Sequence, residues 1–124
     1  MLANKEKTDP FVEAKSIFGE DRSGYVHFLR LVVDDLTNVH GEFDTFIEDS
    51  SIDRYRGIRH NTLTTTRLFK LTEFNQLLQS GLDKARAGLF TELNETDIPA
   101  MQRLIENFRE VVRAEIVTSS NKGQ

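Results

Sequence analysis

Residues 54–67 place one imidazole among several guanidinium groups: Arg54, Arg56, Arg59 and Arg67 surround His60. On an ideal helix each residue turns by about 100°. Arg56, one turn before His60, and Arg67, two turns after it, then fall within about 40° of the imidazole, with Thr64 about 40° to the other side. The apolar centre of this helix lies well over 90° away, so the spacing predicts a solvent-facing His60. A neutral imidazole is a nucleophile near physiological pH. Arginine forks stabilise phosphoryl oxygens. A helix-borne histidine in this setting can accept a phosphoryl group and hold it exposed for transfer. Arg59 falls at the edge of the apolar sector and is expected to snorkel over the core. Arg59, Asn61, Leu63 and Gly57 flank the imidazole and form the candidate contact surface for a partner. Gly57 is expected to let a neighbouring helix or that partner approach closely.

Little else in the sequence offers chemistry. The chain has no Cys, which excludes disulfides, thiolate metal sites and a Cys nucleophile. It has no glycine-rich phosphate loop and no His-Glu-x-x-His motif. A di-iron bundle needs Glu-x-x-His pairs, yet Gly24, Thr37 and Gly57 stand three residues before the histidines. No metal site is expected. His27 and His40 fall off the apolar stripe and read as exposed surface. The net charge of −4 argues against a general nucleic-acid binder. That total is uneven. Residues 51–70 hold five cations and one acid, a local +4, so the remainder carries −8.

The elements that must position His60 follow from periodicity. Tyr25, Leu29, Val32, Leu36, Val39, Phe43 and Phe46 are spaced 4, 3, 4, 3, 4, 3, which predicts a helix over 22–49, with Gly41 as a possible kink. Asp9-Pro10 reads as N-cap and N1 of a short helix to about residue 18, stopped by Gly19. Ser50 or Ser51 caps the helix that carries His60, and Ser50 with Asp53 has capping-box spacing. Ile52, Tyr55, Ile58, Thr62, Thr66 and Phe69 continue at helical spacing. That periodicity outweighs the strand preference of Thr64-Thr65-Thr66. Lys70-Leu71-Thr72 reads as a break with Thr72 as the next cap. A further helix ends at Gly88, and residues 88–97 read as a polar connection. Asp97-Ile98-Pro99 then resembles a helix start, and Met101, Leu104, Ile105, Phe108, Val111, Val112 and Ile116 face inward. The prediction is an all-α fold: an up-down-up-down antiparallel four-helix bundle with a short additional N-terminal helix. The domain spans 9–117, between tails at 1–8 and 118–124. No apolar run is long enough to span a membrane, and the first ten residues carry no secretory signal.

Residues 59–71, Arg-His-Asn-Thr-Leu-Thr-Thr-Thr-Arg-Leu-Phe-Lys-Leu, resemble the histidine-containing phosphotransfer (HPt) domain of bacterial multistep phosphorelays. The likeness covers roughly residues 10–116. The family pattern has an exposed His followed by small residues four to six positions on, here Thr64, Thr65 and Thr66. Apolar residues follow in register, here Phe69, Leu71, Phe74 and Leu77. Three positions depart from it: Leu63 stands where the family usually has Lys, Thr64 where it has Gly or Ser, and Lys70 where it has Gly. Arg56, Arg67 or Arg59 can substitute as the cation.

The resemblance implies that His60 is the phosphoacceptor, with Arg56, Arg67 and Thr64 stabilising the phosphoryl group. It implies a phosphotransfer intermediate without kinase activity of its own. The partner is a response-regulator receiver domain, a hybrid histidine kinase, or both. No cofactor is expected in the chain, and Mg²⁺ is supplied by the receiver. We expect a cytoplasmic monomer that binds neither nucleic acid nor membrane. Met1 and the domain-sized length predict a free-standing protein. Two other readings stay open: a phosphotransfer-deficient HPt-like module that docks a receiver or kinase without transferring phosphate, and a structural helical bundle in which His60 is incidental.

Overall fold

The computed structural model describes residues 9–121, so both outermost tail segments, 1–8 and 122–124, lie outside the described residues. The chain runs through α1 (Val12–Phe18), α2 (Arg22–Asp49), α3 (Ile52–Leu68), α4 (Thr72–Arg86), a short α5 (Phe90–Glu92), a π-helical turn (Leu93–Asp97) and α6 (Ile98–Asn121). The described residues are helical with no strand. Among the described residues, no helix is long and apolar enough to cross a membrane.

The stripe on α2 does what its spacing predicts. Tyr25, Leu29, Val32, Leu36, Val39, Phe43 and Phe46 are all buried, and they join one core with residues of every other long helix. Full burial of side chains of this size contributes about 1.5–3 kcal/mol each. Gly41 produces no break, and α2 is continuous through it. Along the α2–α6 seam, Tyr25 Oη donates to Glu115 (2.7 Å), Arg109 Nη1 to Thr37 Oγ1 (3.1 Å), and Gln102 Nε2 to Asp44 Oδ1 (2.8 Å). Residue numbers that rise along α2 therefore fall along α6. On the other flank, Tyr55 of α3 packs edge-on against Phe43 and Phe46, while Phe28 stacks on Phe69. Tyr55 Oη donates to the Leu78 carbonyl of α4 (2.8 Å). Helix α1 closes one end through Phe11, which contacts Phe69 and Phe108.

Helix α3 keeps its threonines helical by local bonding. Thr62 Oγ1 donates to the Ile58 and Arg59 carbonyls, and Thr66 Oγ1 to the Leu63 carbonyl. These bonds satisfy two buried hydroxyls within the helix itself, the usual way a helix accommodates Thr.

Several expected boundaries shift. Asp9 Oδ1 accepts from the Phe11 N–H (2.8 Å), so the Asp-Pro pair forms a turn ahead of α1 and the helix begins at Val12. Ser51 alone caps α3, accepting from the Arg54 N–H (3.2 Å). Ser50 instead ends α2 in the left-handed region at φ 50°. Thr72 is the first residue of α4, and no side chain caps that helix. Residues 88–97 are not an irregular connection, and Asp97 is not a cap. Pro99 cannot donate to the carbonyl four residues back, and its ring crowds that carbonyl. The helix accommodates it with the preceding π turn. Lys84 Nζ anchors this segment, reaching Glu92 (2.8 Å) and buried Asp97 (2.9 Å). Its hydrogen bonds to Glu92 and then Asp97 hold the ammonium pKa above its ordinary value. At the far end, α6 continues to Asn121 with Ser119 buried, so residues 118–121 of the expected tail are helical.

Two local predictions follow from these ends. Lys70 sits at φ 58° just beyond α3, where the Leu71 N–H reaches the Thr66 carbonyl (2.9 Å). A side chain there costs about 1 kcal/mol relative to glycine. The exposed Lys70–Glu13 pair (3.2 Å) offsets only part of that. Lys70→Gly is expected to raise stability by about 0.5–1 kcal/mol, read as a higher urea midpoint. An unchanged or lower midpoint would contradict it.

Asp49 accepts from the Ser51 N–H (3.0 Å) and from Arg54 Nε (2.8 Å). The backbone N–H first, then the guanidinium, lower its carboxyl pKa. A carboxyl depressed on folding stabilises the fold above its unfolded-state pKa, and that stabilisation is lost as pH falls through the folded-state value. Asp49→Asn should therefore be the less stable protein at neutral pH, with the gap closing in acid. A gap independent of pH would contradict this.

Candidate functional site

His60 lies in the ninth position of α3, exposed, with more than one turn of helix on either side. The rigidity of the site comes from the opposite face of that helix, where Tyr55, Ile58, Thr62 and Thr66 are buried. Four residues of helix separate Arg56 from His60, an axial rise of about 6 Å, and seven separate Arg67, about 10 Å. Arg56, Arg59, Arg67 and Thr64 are all exposed, as is Asn61, while Leu63 and Gly57 are half-buried. Arg56, Thr64 and Arg67 lie within about 40° of His60 around α3, while Arg59 and Asn61 fall about 100° to either side of it. Among the described residues, no hydrogen bond or ion pair joins the imidazole to them.

The cations of this stretch are not equivalent. Arg54 is committed to the α2–α3 corner, with Nε on Asp49 (2.8 Å) and Nη1 on Glu42 (3.0 Å). These two acids raise its own pKa. Arg56 Nη1 lies 3.8 Å from Asp53 Oδ1, with the two side chains 55% and 95% exposed. A loose, solvated pair of this kind contributes little and releases its arginine readily. Lys70 is held by Glu13. Arg59 and Arg67 have no ion pair among the described residues. Arg56 and Arg67 are therefore the cations nearest His60 in angle that can reorient toward an anion there.

Gly57 corrects one expectation. A Cβ built on it would meet nothing within 4 Å. No neighbouring helix approaches it, and its bare backbone adjoins the imidazole on the open side. Asn61 lines a polar groove of about 640 Å³ between α2 and α3, together with Asp35, Asn38 and Glu42.

His40, expected to be simply exposed, is half-buried, and its Nε2 lies 2.8 Å from Glu106 Oε2. His27 is exposed. The sequence reading missed the acidic partners of the cations. Asp53, three residues before Arg56, was the one signal visible in the sequence. Glu106 and Glu42 come from other elements. Among the described residues, no group of three or more His, Asp or Glu side chains is placed to hold a metal ion.

No family model matches this chain, and neither a curated protein nor a solved structure is significantly similar to it. The site must be read from its own geometry. That geometry is an exposed imidazole on a helix, with two exposed guanidinium groups within two turns.

Proposed function

We propose that the chain is a phosphorelay module in which His60 receives a phosphoryl group from, or returns it to, the aspartate of a receiver domain. The observation that carries this reading is the exposed imidazole at the centre of the arginine-bearing face of α3. Attack by an imidazole nitrogen on the acyl phosphate forms an N–P bond and releases the carboxylate. The reverse step restores both partners. Arg56 and Arg67 neutralise the phosphoryl oxygens while His60 carries the group, and Thr64 is a hydrogen-bond donor one turn away. The receiver contributes the Mg²⁺ and the acidic pocket.

The bundle supports the reading. The pairings of α2 with α6, and of Tyr55 with Phe46 on one side and Leu78 on the other, favour an up-down-up-down antiparallel arrangement. Arg56, Arg59 and Arg67, the cations of this stretch not held by acids of other elements, favour encounter with an acidic pocket, and docking then weakens with salt. The protein acts in the cytoplasm, where receivers reside, and as a monomer.

The test is direct phosphorylation. Potassium phosphoramidate should add one phosphoryl group, detected by intact mass and mapped to His60 by acid lability and fragmentation. Absence of the adduct at His60 would sink the proposal.

One observation favours a second reading. Leu63 places an apolar, half-buried side chain one turn from His60, where the resembled family has Lys. A module that docks a receiver without accepting phosphate would tolerate this. The relay reading predicts that Leu63→Lys lengthens the phosphohistidine lifetime several-fold, corresponding to about 1 kcal/mol for an added partly solvated cation. A time course of label loss measures it, and an unaltered lifetime would show that the cation at this position is dispensable.

A further inference from the structure

A cavity of about 400 Å³ opens between α4 and α6, on the side of α3 away from His60. All four long helices line it: Val39 from α2, Thr66 from α3, Phe74 from α4 and Ile105 from α6. It therefore reaches between the helices to the middle of the bundle and is not a dent in the surface. Its walls are apolar, because the Thr62 and Thr66 hydroxyls are engaged by carbonyls of their own helix. Close-packed interiors hold few voids larger than a water. Apolar cavities stay dry and take apolar molecules, and those between bundle helices are a common place for small ligands.

The shape and the rim decide the occupant. At about 400 Å³, with buried Val39, Phe74 and Ile105 in its walls, the cavity is of a size for a small ligand with a slender body. Half-exposed Val111 stands at the mouth. Around it, Thr65, Thr72 and Asn107 carry hydroxyl and amide groups with no side-chain hydrogen bond among the described residues. Charge at the rim is set by Lys70, already paired with Glu13, and by Glu73. With Lys70 neutralised by Glu13, the Glu73 carboxylate disfavours an anionic head. We infer that this cavity binds a small molecule with a slender hydrocarbon body and an uncharged hydrogen-bonding head, entering end-on between α4 and α6.

1-Octanol and octanoate, added to the full chain with labelled methyl groups, test this by NMR. 1-Octanol should shift the Val39, Leu104, Ile105 and Val111 methyls saturably, and octanoate should bind at least tenfold more weakly. Val111→Phe, a change at the exposed mouth, should abolish the shifts while leaving the circular dichroism spectrum and Tm of the free protein unchanged. Shifts that never saturate, that map to other surfaces, or that survive in Val111→Phe would overturn the inference. So would octanoate binding as tightly as the alcohol.

Discussion

His60→Gln is expected to leave a folded protein that takes no phosphoryl group from phosphoramidate or from a phosphorylated receiver. The substituted side chain is exposed at mid-helix and is not among the buried residues of α3. Glutamine is a good helix former. Surface exchanges of this kind stay within about 0.5 kcal/mol. The loss of function is complete because an amide has no nucleophilic nitrogen, so no part of the N–P bond chemistry survives. Arg56→Ala and Arg67→Ala should behave differently. Each keeps the nucleophile and removes one countercharge, so labelling persists while the phosphohistidine decays several-fold faster, for a change of about 1 kcal/mol in stabilisation. Gel or mass quantification of acid-labile label across the three variants separates these roles. Label persisting on His60→Gln would remove His60 from the account. Equal decay in the arginine variants would remove their assigned role.

The largest effect on stability is expected at Gly81. It is buried on α4, and a Cβ there would run into the Tyr55 hydroxyl and crowd Leu93 Cδ1 at 3.0 Å. Tyr55 is fully buried between Phe43, Phe46 and α4, so it has no room to retreat. Its burial, followed by the nearby Asp97 charge, pushes the phenol pKa far above its ordinary value, and the group stays a neutral donor to Leu78. Gly81→Ala should therefore destabilise by about 2–3 kcal/mol, the upper range for overpacking a close-packed core. Tyr55→Phe alone loses one buried hydrogen bond, about 1–2 kcal/mol. The double variant should be more stable than the sum of the two, because removing the hydroxyl makes room for the methyl group. Urea denaturation of the four proteins measures the coupling. Strict additivity would mean that the clash is relieved by movement of the backbone and not held by Tyr55.

The reach of the sequence differs from element to element. The α2 stripe was legible because a helix buried along one side for its full length must repeat its apolar residues every three or four positions. The same logic placed Tyr55, Ile58, Thr62 and Thr66 inside and left His60 outside, even though the threonines favour strands when taken alone. Helix ends were less legible. Ser50 and Ser51 are the same residue type, and only the left-handed turn at Ser50 assigns one to the end of α2 and the other to the start of α3. The break at Lys70 was legible, but a lysine by itself does not announce the left-handed conformation it adopts there. The π turn before Pro99 is anchored by Lys84 from another helix, a contact its polar residues do not announce, so they read as a loop. The site shows the same division. The angular placement of Arg56, Thr64 and Arg67 about His60 follows from helix geometry alone. The pairing that withdraws Arg54 from the site, and the Glu106 contact of His40 from 66 residues away, depend on tertiary packing.

The central claim is that His60 passes on what it receives. The measurement that bears on it most directly uses the chain labelled at His60 with phosphoramidate and freed of donor, then mixed with purified receiver domains from the same organism in the presence of Mg²⁺. The account predicts that at least one receiver strips the label within minutes, gains one phosphoryl group on aspartate, and does so more slowly as salt is raised. If the label leaves His60 only at the rate of spontaneous hydrolysis with every receiver, the chain is not a relay.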